Sequence, residues 1–176
     1  MNALRIMKYT VAGLLIAFII SFLHYNLLRT DVVNVVGTDV KRTDKDKKNQ
    51  SADRDVRFIT SVTRDGDARV YRNEDTGIGW PPYFKFDSAD LTAQAQAFAS
   101  EGDKTWILVT YYGWRIQVLS LFPNAISLKQ VEREYSHLPI FNTVVLVVLG
   151  VGAFLLVRVV RRIRTSMRLT RDGGDT

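Results

Sequence analysis

Twenty consecutive uncharged residues, YTVAGLLIAFIISFLHYNLL from Tyr9 to Leu28, constrain this chain more than any other feature. A second such run, the eighteen residues IFNTVVLVVLGVGAFLLV from Ile140 to Val157, lies near the other end. At ~1.5 Å rise per residue, a twenty-residue helix is about 30 Å long, the thickness of a bilayer's hydrocarbon core. Strands usually run to about six residues, so the valine-rich second block is far too long for one. In lipid, where every backbone group needs a partner within its segment, such a block forms a helix. The first block is too long for a signal-peptide core. Neither Ser21-Phe22-Leu23 nor His24-Tyr25-Asn26 offers a small-x-small cleavage site, so it reads as an uncleaved anchor.

Charge divides the chain along the same lines. Residues 1–29 hold three basic groups and no acid, residues 30–139 fifteen basic and sixteen acidic groups, and residues 158–176 six arginines and two aspartates. The net charge of +6 therefore resides in the flanks of the apolar blocks. The near-neutral middle lacks the basic footprint that nucleic acid requires, and no nucleic-acid partner is expected. Basic residues before the first block (Arg5, Lys8) and after the second place both termini in the cytoplasm. The expected organisation is an N-terminal tail with a first transmembrane helix (1–29), a periplasmic β-rich domain (30–139), a second transmembrane helix (140–157) and a basic cytoplasmic tail (158–176).

Within the spans, Gly13, Ala17 and Ser21 form a small-xxx-small stripe, and Gly150 and Ala153 a similar smooth patch. Such faces let helices approach closely in lipid, either the two spans each other or another membrane protein or a second copy. His24, beside Tyr25 near the end of the first span, reads as a residue at headgroup depth. In the tail, Arg158, Arg161, Arg162, Arg164 and Arg168 follow the second span with no acid before Asp172. They are expected to bind anionic headgroups of the cytoplasmic leaflet, because an arginine fork meets a phosphate through two hydrogen bonds.

The middle domain reads as strand, strand, strand, helix, strand and a further strand. Asp31–Val40 is a strand with Gly37 as a bulge or bend. The charged stretch between Lys41 and Asp55 has nothing to bury and reads as a solvated loop. Its Asp44-x-Asp46 start does not make a calcium loop, since Lys48 stands where an oxygen ligand belongs. Val56, Phe58, Thr60 and Val62 alternate with more polar neighbours, Asp65-Gly66 marks a hairpin turn, and Ala68–Arg72 returns. Ser88 is the expected cap of a helix over Ala89–Ser100, ended by Gly102. Thr105–Phe122 is strand-like throughout, with Gly113 as hairpin turn or kink. The fold class is α+β: two transmembrane helices flanking a small antiparallel β domain, whose element order suits an OB-type barrel with one short helix.

No catalytic set emerges. The chain has no cysteine, which removes disulfides, thiolate nucleophiles and cysteine-based zinc sites. Its two histidines, His24 and His137, are far apart in sequence and bring no nucleophile or orienting acid with them. No enzyme activity, metal or cofactor is expected. The aromatic residues are more informative. Trp80, Tyr83, Phe84 and Phe86 surround Pro81-Pro82, and Tyr111, Tyr112 and Trp114 surround Gly113. They serve either as barrel core or as a partly exposed platform, for which Trp80, Tyr83, Tyr111, Tyr112 and Trp114 are the candidate surface. Trp80 is expected to be mostly buried, anchoring an irregular Gly-x-Gly-Trp-Pro-Pro-Tyr run.

The runs VYRNEDTGIGWPPYFKFDSADL and TWILVTYYGWRIQVLSLFPNA, set between two spans, resemble a bacterial inner-membrane family called domain of unknown function fifteen twenty-three. The resemblance implies a bacterial source and a periplasmic domain, and brings no activity, cofactor or site residues. The functional expectation is a non-enzymatic envelope protein, an accessory or scaffold subunit contacting other membrane proteins through its spans and periplasmic domain. The alternatives are a periplasmic ligand-binding or sensing module built on the aromatic clusters, and a membrane-anchored hydrolase.

Overall fold

The computed structural model describes residues 3–43, 54–102 and 105–172; most of the charged Lys41–Asp55 stretch, with Asp44 and Asp46, lies outside them. The chain forms two compact units, Met1–His137 and Leu138–Thr176.

The first unit opens with α1 (Ala3–Asn26), which has no buried residue and presents Leu14, Phe18 and Ile20 openly. Only Leu27 and Leu28 separate it from β1 (Arg29–Thr43), which leads into β2 (Arg54–Thr63), β3 (Ala68–Asn73), α2 (Ser88–Ser100), β4 (Trp106–Tyr112) and β5 (Asn124–Val131). The strands close into a barrel in the order β1-β2-β3-β5-β4, with β4 returning to β1. All pairings are antiparallel except β3 with β5, which meet in parallel at Arg72 and Asn124. Each strand is thus paired on both sides, and side chains from all five strands fill the barrel interior. Val33 and Val35 of β1, Ile59 of β2, Tyr71 of β3, Ile107 and Val109 of β4, and Ala125 and Leu128 of β5 form the core. From α2, Leu91, Ala95, Phe98 and Ala99, spaced i, i+4, i+7 and i+8, bring one helix face onto it.

Several local expectations meet their outcomes here. The register of β1 against β2 shifts between Val35 and Gly37, so the bulge falls where Gly37 signals it. Gly66, with φ of 88°, makes the β2–β3 turn. The alternation on β2 differs: both faces are covered. Ile59 and Ser61 point into the core, where the Ser61 hydroxyl donates to the Arg69 carbonyl at 3.0 Å. Val56 and Phe58 are buried too, with Phe58 edge-on to Phe122. Ser88 is not the cap of α2 but its first residue. The carboxylate of Asp75 accepts from the Ser88 amide at 2.9 Å and from its hydroxyl at 2.8 Å, serving that helix start from a neighbouring loop.

The hairpin or long kinked strand expected over Thr105–Phe122 is replaced by β4, which stops at Tyr112. Gly113, with φ of 92°, is neither hairpin turn nor kink but the point where the chain leaves the sheet. Residues 114–123 form a loop pinched by an Ile116–Leu121 bridge. The fifth strand lies further on, at Asn124–Val131.

The second unit contains α3 (Ile140–Asp172), which runs without a break from the apolar block through Arg158, Arg161, Arg162 and Arg164. The boundary expected at Val157 is thus one of composition, not of structure. Both α1 and the Ile140–Arg164 stretch of α3 are long and apolar enough to cross a membrane.

Candidate functional site

The end of α1 is where the two sequence-predicted aromatic clusters meet. A helix leaves its last four carbonyls without intrahelical partners. Here the barrel and its own loops supply donors. The Phe22 carbonyl accepts from the Asn26 side-chain amide at 2.7 Å, and the Leu23 carbonyl from the Leu27 amide at 2.8 Å. The Arg29 guanidinium donates to the His24 carbonyl at 3.2 Å, the Gly113 amide to the Tyr25 carbonyl at 3.0 Å, and the Tyr83 hydroxyl to the Asn26 carbonyl. Rings reinforce these bonds. Tyr25 meets Trp114 edge-on at 5.4 Å and Tyr112 at 6.1 Å, and Tyr83 tilts over Tyr112 at 5.1 Å. The Trp114 indole donates to His24 Nδ1 at 2.8 Å, which fixes Nδ1 as the acceptor nitrogen. Gly113 is needed for its positive φ of 92°, while a Cβ there would make only ordinary contact, at 3.6 Å, with the Tyr25 ring and Pro123. We call this set of contacts the aromatic collar.

The candidate surface residues therefore have different fates. Tyr112 is buried, Tyr111 and Tyr83 are half-buried, and Trp114 is half-covered by α1. Trp80 is not buried. It is 65% exposed, stacked on Phe22 of α1 at 5.5 Å, among the similarly open Ile78, Phe84 and Phe86.

The loop holding Trp80 has a different anchor, Lys85, which is 4% exposed. Its ammonium donates to Asn73 Oδ1 and, at 2.6 Å, to the Ala125 carbonyl, tying the loop to β3 and β5. Its carbonyl accepts from the Thr76 and Gly77 amides at 3.1 Å, and its amide donates to the Thr76 hydroxyl at 3.1 Å. Burial pushes the Lys85 ammonium down to about 8, with Asp87, Asp75 and Glu74 pulling the other way. Lysine is rarely buried, so the residue gave no warning of its role by type alone. It lies in a segment without regular structure, between Phe84 and Phe86, so no periodic pattern pointed to it either.

Beside the collar lies a cleft of about 360 Å³ lined by Arg29, Asp31, Arg69, Tyr71, Tyr111 and Arg115, among others. Asp31 Oδ2 accepts from the Tyr71 hydroxyl at 2.7 Å, and the Asp31 carboxylate also hydrogen-bonds the Tyr111 side chain. Burial, and then the Asp31 charge, pushes the Tyr71 phenol well above its ordinary range and Tyr111 up to about 12. Both stay protonated and donating. Arg115 stacks over Phe122 at 4.0 Å and donates to the Leu121 carbonyl at 2.9 Å. None of these cleft residues except Tyr111 was singled out from sequence, because they lie on three strands and a loop that only barrel closure brings together.

Of the remaining sequence candidates, Gly13, Ala17 and Ser21 lie on an exposed face of α1, and Gly150 and Ala153 on an exposed face of α3. Arg158, Arg161, Arg162 and Arg164 are exposed; the Arg168 side chain lies outside the described residues. Among the described residues, no three histidine or carboxylate side chains converge as a cation site requires.

Two long apolar helices on either side, in sequence, of a five-stranded closed barrel define the architecture. The chain belongs to the family described as "Protein of unknown function (DUF1523)", whose profile matches residues 4–164. It is 39% identical over 160 residues to an uncharacterized protein of Haemophilus influenzae, covering 87% of this chain and 91% of that protein. No solved structure matches.

Proposed function

We propose that this chain is a two-pass, non-enzymatic protein of a bacterial inner membrane, an accessory or scaffold subunit. Residues 30–139 stand in the periplasm, both termini are cytoplasmic, and the barrel is of OB type. The strand order, with a helix between β3 and β4, supports the OB reading. The collar carries the functional one. A tethered enzyme needs only a flexible linker, whereas here two residues join span to barrel and every carbonyl from Phe22 to Asn26 has a donor. This arrangement holds the barrel at a set angle to α1, as a scaffold requires. The open Trp80, stacked on Phe22 of α1, and the open Ile78 and Phe84 of the same loop then sit at the outer interface, facing lipid or a partner's span. The small-residue faces at Gly13, Ala17 and Ser21 and at Gly150 and Ala153 serve the same contacts, with another membrane protein or a second copy. The unbroken passage of α3 into Arg158, Arg161, Arg162 and Arg164 supports contact of these residues and Arg168 with anionic headgroups on the cytoplasmic side.

Purification of the tagged protein from its own membrane in mild detergent tests this. The expected result is a membrane-protein partner in fixed stoichiometry, lost when His24 and Tyr83 are replaced by Ala and Phe while the chain's abundance holds. A monodisperse monomer, or a partner indifferent to the collar, would contradict it. A second reading, a ligand-binding or sensing module, is favoured by the arginine-lined cleft. The hydrolase reading has less support: Asp31 is the one carboxylate among the residues lining that cleft, and it is bonded to two phenols.

A further inference from the structure

We propose that the cleft between Arg29, Arg69 and Arg115 binds one phosphate-bearing group, presented by the headgroup of an anionic lipid in the leaflet at the outer end of α1. The inference deepens the second reading above and rests on α1 spanning the bilayer. The charge comes first. Three guanidinium groups and one carboxylate line the cleft, in a domain whose overall charge is close to zero. The carboxylate, Asp31, is oriented by the Tyr71 hydroxyl at 2.7 Å and offsets one of the three positive charges, leaving the cleft lining a net positive excess.

Preorganisation comes second. A guanidinium carries five N–H donors. Arg29 uses one on the His24 carbonyl, and Arg115 uses one on the Leu121 carbonyl while its plane is fixed by Phe122. Donors remain on groups whose orientation is already set, which suits the planar, two-bond recognition of phosphate oxygens. A volume of about 360 Å³ lies at the small end of ligand pockets and fits a headgroup better than an extended polymer.

Position comes third, and selects the lipid over a free anion. Arg29 is three residues past the end of α1, and Gly113, another cleft residue, packs on Tyr25. A headgroup in the cleft would leave its acyl chains beside the exposed apolar surface of α1. Lipid phosphates at that depth are always present at high local concentration.

The test uses the full-length chain with Arg158, Arg161, Arg162, Arg164 and Arg168 all replaced by Gln, so that the cytoplasmic tail does not report. The protein is placed in nanodiscs of phosphatidylcholine alone or with phosphatidylglycerol, and retained lipid is read by native mass spectrometry after release. One phosphatidylglycerol is expected to be retained in preference to phosphatidylcholine. Arg69→Gln should weaken retention about tenfold, the loss of one charge-assisted contact. Asp31→Asn, which removes the opposing charge while keeping an acceptor for the tyrosines, should strengthen it. That opposite sign is one that simple misfolding does not produce. Equal retention of the two lipids, or weakening by both substitutions, overturns the proposal. Inorganic phosphate and glycerol phosphate are titrated into the phosphatidylcholine discs in parallel. Saturable binding there without any lipid preference overturns the lipid source. Cysteine-labelling topology on the same protein shows separately whether α1 spans.

Discussion

The two apolar helices end in opposite ways. At the end of α1 the carbonyls from Phe22 to Asn26 are met by Asn26, Leu27, Arg29, Gly113 and Tyr83, so the helix stops inside a network. At the end of its apolar block α3 does not stop at all but continues as helix through four exposed arginines. Orientation can thus be fixed in two ways: by short-range hydrogen bonds to a folded domain, or by the attraction of exposed charges to a surface. The first is sensitive to single-atom changes and insensitive to salt; the second is the reverse.

The largest effect that would break this comparison is one of topology. The chain has no cysteine of its own, so cysteines placed at Asp65 and Thr170 report cleanly. They are expected to label all-or-none from opposite faces of the membrane; labelling of both from one face would remove the two-span account and, with it, the contrast between the two ends.

Next in size is the anchor of the collar loop. Lys85→Met leaves Asn73 Oδ1 and the Ala125 carbonyl without this donor, each worth about 1–3 kcal/mol, while relieving the desolvation of a buried ammonium. A net loss of about 2 kcal/mol in barrel stability is expected from denaturant titration in detergent. The same residue sets a pH dependence. The folded lysine titrates at about 8 against 10.5 unfolded, so between these values the unfolded chain binds more protons and stability rises with pH. Above about 10 the raised phenols of Tyr71, Tyr83 and Tyr111 reverse the slope, since the folded chain then holds the extra protons. The rise between pH 8 and 10 should vanish in Lys85→Met.

Smaller again is Tyr83→Phe, which removes the donor to the Asn26 carbonyl and is expected to cost about 1 kcal/mol. Smallest is the replacement of Arg158, Arg161 and Arg162 by Gln. Barrel stability should stay within about 0.5 kcal/mol of the parent. Flotation of a Val157–Thr176 peptide with anionic vesicles should fall toward, but not to, the level seen with neutral ones, because Arg164 and Arg168 remain, and the difference should disappear at high salt.

The contrast also marks what the amino-acid sequence discloses. The two long apolar helices were legible because an uncharged run of eighteen or twenty residues is far too long for a strand. The bulge at Gly37 and the turn at Asp65-Gly66 were legible because each depends on local backbone chemistry. The fifth strand was not: in NAISLKQV, Ala125 and Leu128 are the buried apolar residues and Asn124 the buried polar one, so no clear period appears. Thr105–Phe122 misled because its loop carries Trp114, Ile116, Val118 and Leu119, apolar residues that the fold leaves partly or fully open. Trp80 misled for the same reason. The need for an anchor in its loop was correctly inferred, but hydrophobicity pointed to the tryptophan, whereas hydrogen bonding selected Lys85. Both aromatic clusters were visible as clusters. Their joint partner, the end of α1, was not, because tertiary contact alone brings Tyr25 to Tyr112.

The most direct measurement of the central claim is the distance between α1 and the barrel in a bilayer. Spin labels on cysteines at Ile16 and Asp65, with the full chain reconstituted in lipid, give that distance as a distribution by pulsed electron resonance. A single narrow distribution that broadens on Tyr83→Phe combined with His24→Ala is the predicted result; a broad distribution in the parent protein would show that the collar does not hold the barrel to its span.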